Sequence, residues 1–243
     1  KQNTPSQPPG DDSWNIELSG GLMYMYGPKY DGSDNYGSKV LPAASLEYKN
    51  GLIFIGIMDG IGSNFLQGED YKIGASIGYS FGRDESDDRK NLHGMGDIDS
   101  GLEATLKGEY SFGPVELSGE VTTGTEDHGT TAKIELGTML PVTEQLMVKI
   151  SAGSTWADAT HMESYFGVSP AQSARSGYSR YEAESGLKSA GISVGVIYNI
   201  TEEWNLMLML NGDQLLGDAA DSPLTKEEFG VSTFSTLNYK FSF

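Results

Sequence analysis

Residues Tyr71–Phe81 read YKIGASIGYSF, and taking alternate residues splits them into two chemically different sets. Tyr71, Ile73, Ala75, Ile77, Tyr79 and Phe81 form one set, and Lys72, Gly74, Ser76, Gly78 and Ser80 the other. A two-residue period marks an extended strand, whose successive side chains point to opposite faces. Outward from this stretch the period recurs. Trp14–Tyr26 (WNIELSGGLMYMY) sets Trp14, Ile16, Leu18, Leu22, Tyr24 and Tyr26 against Asn15, Glu17, Ser19, Met23 and Met25. LEATLKGEYSF from Leu102, VELSGEV from Val115, AKIELGTML from Ala132, QLMVKISAGSTW from Gln145, GISVGVIYN from Gly191 and WNLMLMLN from Trp204 repeat it. The chain closes on Thr233–Phe243, TFSTLNYKFSF, with Leu237, Tyr239, Phe241 and Phe243 on the apolar side. No stretch shows a clean helical period.

Composition narrows the function classes. The net charge of −18, from 16 Lys+Arg against 34 Asp+Glu, excludes the basic stripe that nucleic acid requires. With no cysteine there is no disulfide framework, thiolate metal site or catalytic cysteine. The longest apolar run, Leu52–Met58 (LIFIGIM), is far short of the ~20 residues of a spanning helix. The polar, Pro-rich start KQNTPSQPPGDD lacks the regions of an export signal, which reads as already removed. Residues 1–12 are expected to form a disordered periplasmic tail. The 32 glycines, many inside alternating stretches, suit curved sheet.

Alternation alone also fits a sandwich or a lipocalin-like barrel with its apolar face inward. Three features point instead to a wall facing lipid. The strands are long, about 9 to 13 residues, as tilted membrane strands must be. Aromatic residues gather at the ends of the apolar faces, among them Trp14, Tyr24, Tyr26, Tyr71, Tyr79, Phe81, Tyr110, Phe112, Trp156, Tyr198, Trp204 and Tyr239, as interfacial girdles do. Connections alternate between short (49–51, 111–114, 141–144, 200–203) and long (27–39, 82–99, 157–187, 213–229), matching periplasmic turns and extracellular loops. Eleven strands would place long loops on both sides. Reading Ile61–Gln67 as a short strand after a tight turn at Asp59–Gly60 gives twelve, an even number. The expected fold is all-β, a closed antiparallel up-and-down transmembrane β-barrel over residues 13–243. Its last strand pairs with its first, which removes the edge.

One face of these strands carries no charge, in keeping with a cost of roughly 2–4 kcal/mol for Lys or Arg at the lipid midplane. The other would line the lumen with Glu17, Lys72, Glu103, Lys107, Glu109, Glu116, Glu120, Lys133, Glu135, Lys149 and Lys240. Either these make a charged channel, or they pair into a network that fills the barrel. Met23, Met25, Met139, Met147, Met207 and Met209 also fall inward, where thioethers could ligate Cu(I) but more commonly fill gaps. His93, His128 and His161 read as solvated loop histidines without a serine–acid partnership. GRDESDDRK, Gly82–Lys90, lacks the spaced ligands of a calcium loop and reads as a solvated, self-repelling loop. No catalytic residue, cofactor site or metal site is expected.

GPKYDGSDNY at Gly27–Tyr36, LPAASLEYKNG at Leu41–Gly51, GIGSNFL at Gly60–Leu66, GRDESDDRKNLHGMGDIDSG at Gly82–Gly101, YFGVSPAQSARSGYSRYEAESG at Tyr165–Gly186 and DSPL at Asp221–Leu224 remain. Together with the terminal aromatic strand they resemble the MltA-interacting protein (MipA)/OmpV family of outer-membrane proteins. In that family's terms the loop residues Tyr165, Gly167, Val168, Ser169, Gln172, Ser173, Ser176, Gly177 and Tyr181 carry the motif. The resemblance implies a bacterial outer-membrane location, contact with lipids and lipopolysaccharide, and no enzymatic activity. For the namesake it implies a scaffold between a lytic transglycosylase and a peptidoglycan synthase. The alternative is a small-solute channel. The tail, with Asp11 and Asp12, and the short turns would carry any periplasmic contacts.

Overall fold

The computed structural model describes residues 16–241; Trp14, Phe243 and the tail at 1–12 lie outside the described residues. Twelve strands form one closed antiparallel barrel, each paired with its sequence neighbours and β1 with β12. They are β1 (Ile16–Pro28), β2 (Tyr36–Tyr48), β3 (Ile53–Gly56), β4 (Gly60–Gln67), β5 (Tyr71–Ser80) and β6 (Gly101–Phe112). The second half comprises β7 (Val115–Gly124), β8 (Thr130–Pro141), β9 (Leu146–Ala157), β10 (Gly186–Asn199), β11 (Trp204–Leu215) and β12 (Phe229–Phe241). Closure runs from Leu18↔Phe241 to Tyr26↔Thr233, so the aromatic C-terminal strand is not an edge.

The strands are steeply tilted. Following paired residues sideways from Tyr71, at the turn end of β5, leads through Tyr110, Leu117, Leu136, Ala152, Ile192 and Gly212 to Val231, near the loop end of β12. Such stagger is what closing a sheet demands.

The hydrophobic arrangement is inverted relative to a water-soluble protein. Leu22, Val40, Ile61, Ile77 and Ile192 are each 60% exposed or more on the outer wall. An apolar band this continuous is stable only against lipid. The fully buried large side chains lie elsewhere, in the long loops at one end: Leu92, Met162, Phe166, Val168 and Leu224.

Those loops contain helical turns that the sequence reading missed. L1 joins β1 to β2. L3, between β5 and β6, holds a 3-10 turn (Glu85–Asp88) and α1 (Arg89–Leu92). L5, between β9 and β10, holds α2 (Ala159–Phe166) and α3 (Pro170–Ser176), and L6, between β11 and β12, holds α4 (Gly217–Asp221). They pack into a cap over one barrel mouth. Two connections at this end are short, the β3–β4 turn and the β7–β8 link. In the latter, Gly129 adopts φ +64°, and a Cβ there would collide with the His161 backbone nitrogen.

Candidate functional site: the lumen and its cap

The inward faces of the strands bound several cavities. One, about 530 Å³, lies under L1 and L6 and is lined by Met25, Gly37, Lys39, Asn211, Asp213 and Phe234. A second, about 240 Å³, lies against Lys133, Glu135, Ser151, Ser193 and Asn211. A third, about 160 Å³ nearer the turn end, touches Glu47, Asn64, Lys72, Lys107 and Glu109. The named lining residues lie on the strand faces opposite the exposed Leu22, Val40, Ile77 and Ile192, which puts these cavities inside the barrel.

The inward charges form few ion pairs. Glu135 accepts from Lys133 at 3.1 Å and lies 3.6 Å from Lys149, and Lys240 meets Glu17 at 2.8 Å near the turn end. Lys107 places its ammonium 4.4 Å from the Phe54 ring centre. Lys72 stands opposite Glu109 in register, and Glu120 sits between Lys107 and Lys133 on neighbouring strands. Glu116 stands opposite Gly137, and Glu103 opposite Gly124. Among the described residues, Glu103, Glu109, Glu116 and Glu120 have no cation within 4 Å.

Methionine placement divides the lumen. Register sets Met207, Thr236, Met23 and Leu41 in one row across β11, β12, β1 and β2, and Met209, Phe234, Met25 and Lys39 in the next. Met139 and Met147 sit apart, toward the turn end of β8 and β9. Across β11 to β2 these two rows form a methionine-rich belt, with Asn211 and Asp213 on its loop side and Glu17, Asn238 and Lys240 on its turn side, while the opposite wall, β5 to β9, holds most of the charge.

The motif residues of L5 build the cap. Ser169 and Gln172 form a capping box at the start of α3, and Gln172 Nε2 also donates to the Met95 carbonyl at 2.8 Å. Ser173 donates to the Tyr178 carbonyl, and Ser176 to the Gln172 carbonyl. Gly177, at φ +82°, ends α3 in the left-handed conformation. Gly167 ends α2, and Val168 pairs with Tyr181 through two backbone hydrogen bonds. The Tyr181 hydroxyl reaches the Asp218 carbonyl at 2.9 Å, joining L5 to L6.

Tyr165 ties L5 to L3. Its carbonyl accepts from Arg83 at 2.9 Å, its hydroxyl bonds His128 Nδ1 at 3.0 Å, and its ring stacks on His161 at 4.5 Å. The solvated histidines expected from sequence are thus corrected at two positions. His128 is only 3% exposed, and His161 is held by the His128 carbonyl at 2.9 Å. His93 does stay in solvent. Burial, aided by nearby Lys188, lowers the His161 pKa to about 4. Its unfolded counterpart binds a proton below about 6.5, so the open state takes up more protons between those values and cap stability falls as pH drops through that window. Amide protection across residues 159–176, corrected for the intrinsic exchange rate, is expected to fall from pH 7 to 5, and His161→Gln should flatten that dependence.

L3 is likewise no solvated loop. Asp88 is 2% exposed and accepts from Ser33 Oγ at 2.8 Å, Asn35 Nδ2 at 3.0 Å and Asn91 Nδ2 at 2.9 Å. Asp34 in turn accepts from Lys90 at 2.9 Å and Asn91 at 2.6 Å. The like charges of GRDESDDRK are separated because partners from L1, distant in sequence, satisfy them. Desolvation opposes the Asp88 charge, but the hydrogen bonds from Asn35, Ser33 and Asn91 outweigh it and hold its pKa below the ordinary value. The L1–L3 clasp should persist at pH 5 and be lost as pH falls below about 4. Asp88→Ala leaves buried donors unmatched at about 1–3 kcal/mol each and should expose Arg89 and Lys90 to trypsin at neutral pH.

A family model described as MltA-interacting protein MipA matches residues 20–241. The chain belongs to this family. No curated protein matches the sequence. Solved structures with a similar fold include an anion-selective porin from Comamonas acidovorans, 14% identical over 94% of this chain and 99% of that one, TM-score 0.41. Others are the outer membrane channel DcaP of Acinetobacter baumannii, 8% identical over 94% and 97%, TM-score 0.42, and the CymD monoaromatic hydrocarbon channel, 12% identical over 94% and 88%, TM-score 0.44. Family membership and a closed barrel with a lipid-facing wall make the protein a bacterial outer-membrane β-barrel. In barrels of that kind short turns face the periplasm and long loops face outward.

Proposed function

We propose that the barrel is a capped, non-enzymatic channel for small solutes. The observation that carries this reading is the cavity of about 530 Å³ beneath L1 and L6, continuous in position with a polar, mixed-sign lumen that few ion pairs occupy. In this reading the cap regulates entry, and lipopolysaccharide surrounds the outer rim. Planar-bilayer recordings test it. Infrequent openings are expected for the intact protein, and frequent ones when residues 159–184 are replaced by a short Gly-Ser turn. Silence from both proteins removes the reading.

A second reading has its own support. The family's name describes interaction with MltA, a lytic transglycosylase. The periplasmic turns present Glu69, Asp70, Glu144, Glu202 and Glu203 against Lys49 alone, an acidic face suited to a basic partner. Here the barrel anchors a peptidoglycan hydrolase, with a synthase recruited beside it through the tail and turns. Immobilised protein should retain a lytic transglycosylase and release it on Glu202→Lys/Glu203→Lys or on deletion of residues 1–12. Equal retention by all of these proteins argues against it.

A further inference from the structure

β2 is thirteen residues long and pairs with β1 along all of them, but β3 has only four residues. On its β3 side β2 is matched only at Ser45–Tyr48, plus one bond from the Ile57 nitrogen to the Ala44 carbonyl at 3.3 Å. From Tyr36 to Ala43 that edge has no strand beside it among the described residues. Because backbone groups alternate sides along a strand, the Ala44 bond places those of Pro42, Val40 and Ser38 on the open side. Inside a bilayer, unpaired N–H groups are costly and sheet edges are normally closed. Proline at 42 removes one such donor, as expected of a tolerated edge.

The sequence builds this opening on both sides of the wall. Outside it lie the exposed apolar residues Val40, Ile57, Met58 and Ile61. Inside it lies the methionine-rich belt of the lumen, with Leu41 beside Met23 in register. The cavity under L1 and L6 touches the upper part of the same strand, since Gly37, Ser38 and Lys39 line it with Met25 and Phe234. Above, L3 leaves β5, on the far side of the β3–β4 hairpin, and crosses to L1. There the Asp88 and Asp34 hydrogen bonds fasten it over the gap.

From these features, and resting on the channel reading, we propose a lateral port. A small apolar or amphipathic molecule passes between the Met–Phe wall of the lumen and the outer leaflet, between β2 and the β3–β4 hairpin and beneath the L1–L3 clasp. Charged solutes would follow the opposite wall along the barrel axis.

The absence of cysteine makes the test clean. Leu41→Cys places a thiol inside the lumen beside the port, and Thr122→Cys places one on the β7 wall, where both neighbouring strands are fully paired. Both proteins, shown folded by heat-modifiable gel mobility, are reconstituted in liposomes. They are treated with bilayer-dissolved pyrenyl maleimide or with a sulfonated maleimide in the buffer. Leu41→Cys should react with the pyrenyl reagent about tenfold faster than Thr122→Cys, and adding Asp88→Ala should raise its rate further. Equal pyrenyl rates at the two thiols, or none at Leu41→Cys, overturn the port. Failure of the channel reading looks different: no conductance and no sulfonated labelling of either thiol, whatever the pyrenyl reagent does.

Discussion

Phe166→Ala is expected to open the extracellular cap while leaving the barrel folded. The ring is fully buried among Met162, Ala157, Ala183, Leu215 and Ala219, where side chains from β9, L5, β11 and L6 meet. Its backbone carbonyl also accepts from Ser222 Oγ at 2.6 Å. Truncating a buried phenylalanine costs about 3–5 kcal/mol, because the lost transfer energy is joined by the cavity left behind. Among the described residues two small buried clusters hold the cap's interior, the other being Met95, Val168 and Leu224, so a loss of this size exceeds what the remainder can offset. Arg175 and Arg180 are exposed, but α3 and the Val168–Tyr181 pairing hold the backbone around them, so trypsin should cut there much faster once the cap opens. Heat-modifiable gel mobility should be unchanged, since strand pairing does not depend on Phe166. If the channel reading holds, the same variant should open more often in bilayers. Undiminished trypsin protection would show that the cap does not rest on this core.

The second large effect concerns the outer wall. Ile192 lies mid-strand on β10, 63% exposed and flanked in register by the small residues Ala152 and Gly212. Ile192→Arg should reduce folding stability in lipid by about 2–4 kcal/mol, the cost of a cation near the bilayer midplane. Ser193→Arg carries the same charge one residue along, into the polar lumen beside Asn211, and should cost far less. Urea-dependent folding into vesicles measures both. Equal penalties would mean that the two faces of β10 do not differ in environment, against the fold itself.

How much of this could be read from the residues depends on how local the physics is. The alternation at Tyr71–Phe81 is fixed by backbone geometry, so strand identity and the outward turn of Tyr, Ile and Phe needed no tertiary information. The even strand count followed from loop lengths, and the short strand at Ile61–Gln67 is present, extended by one residue to Gly60. The charge-bearing face of each strand was equally legible, including Lys133, Glu135 and Lys149. Three things were not. His128, His161 and Asp88 of the acidic run were read as solvated because their partners, among them Tyr165, Ser33 and Asn35, lie far away in sequence. The buried Arg83, and the pairing of Lys188 with Asp31 at 3.0 Å, escaped for the same reason. The division of the lumen into a methionine-rich and a charged wall was hidden too, since it depends on register across β11, β12, β1 and β2. A Ser-Pro-x-Gln run beside a Gly could have signalled the cap of α3, had the motif been read for helix starts.

By itself, then, the sequence determined that this chain turns apolar side chains to lipid on every strand and closes its last strand on its first. Strand period is a property of neighbouring residues, and an unpaired edge along the hydrocarbon is costly. Only the tertiary structure decided that the true hydrophobic core sits in the long loops, that Asp88 and Tyr165 clasp them together, and that β2 outruns β3 on one side. Those outcomes come from closure and stagger, which bring residues from opposite ends of the chain into contact without leaving a mark on any single stretch of it.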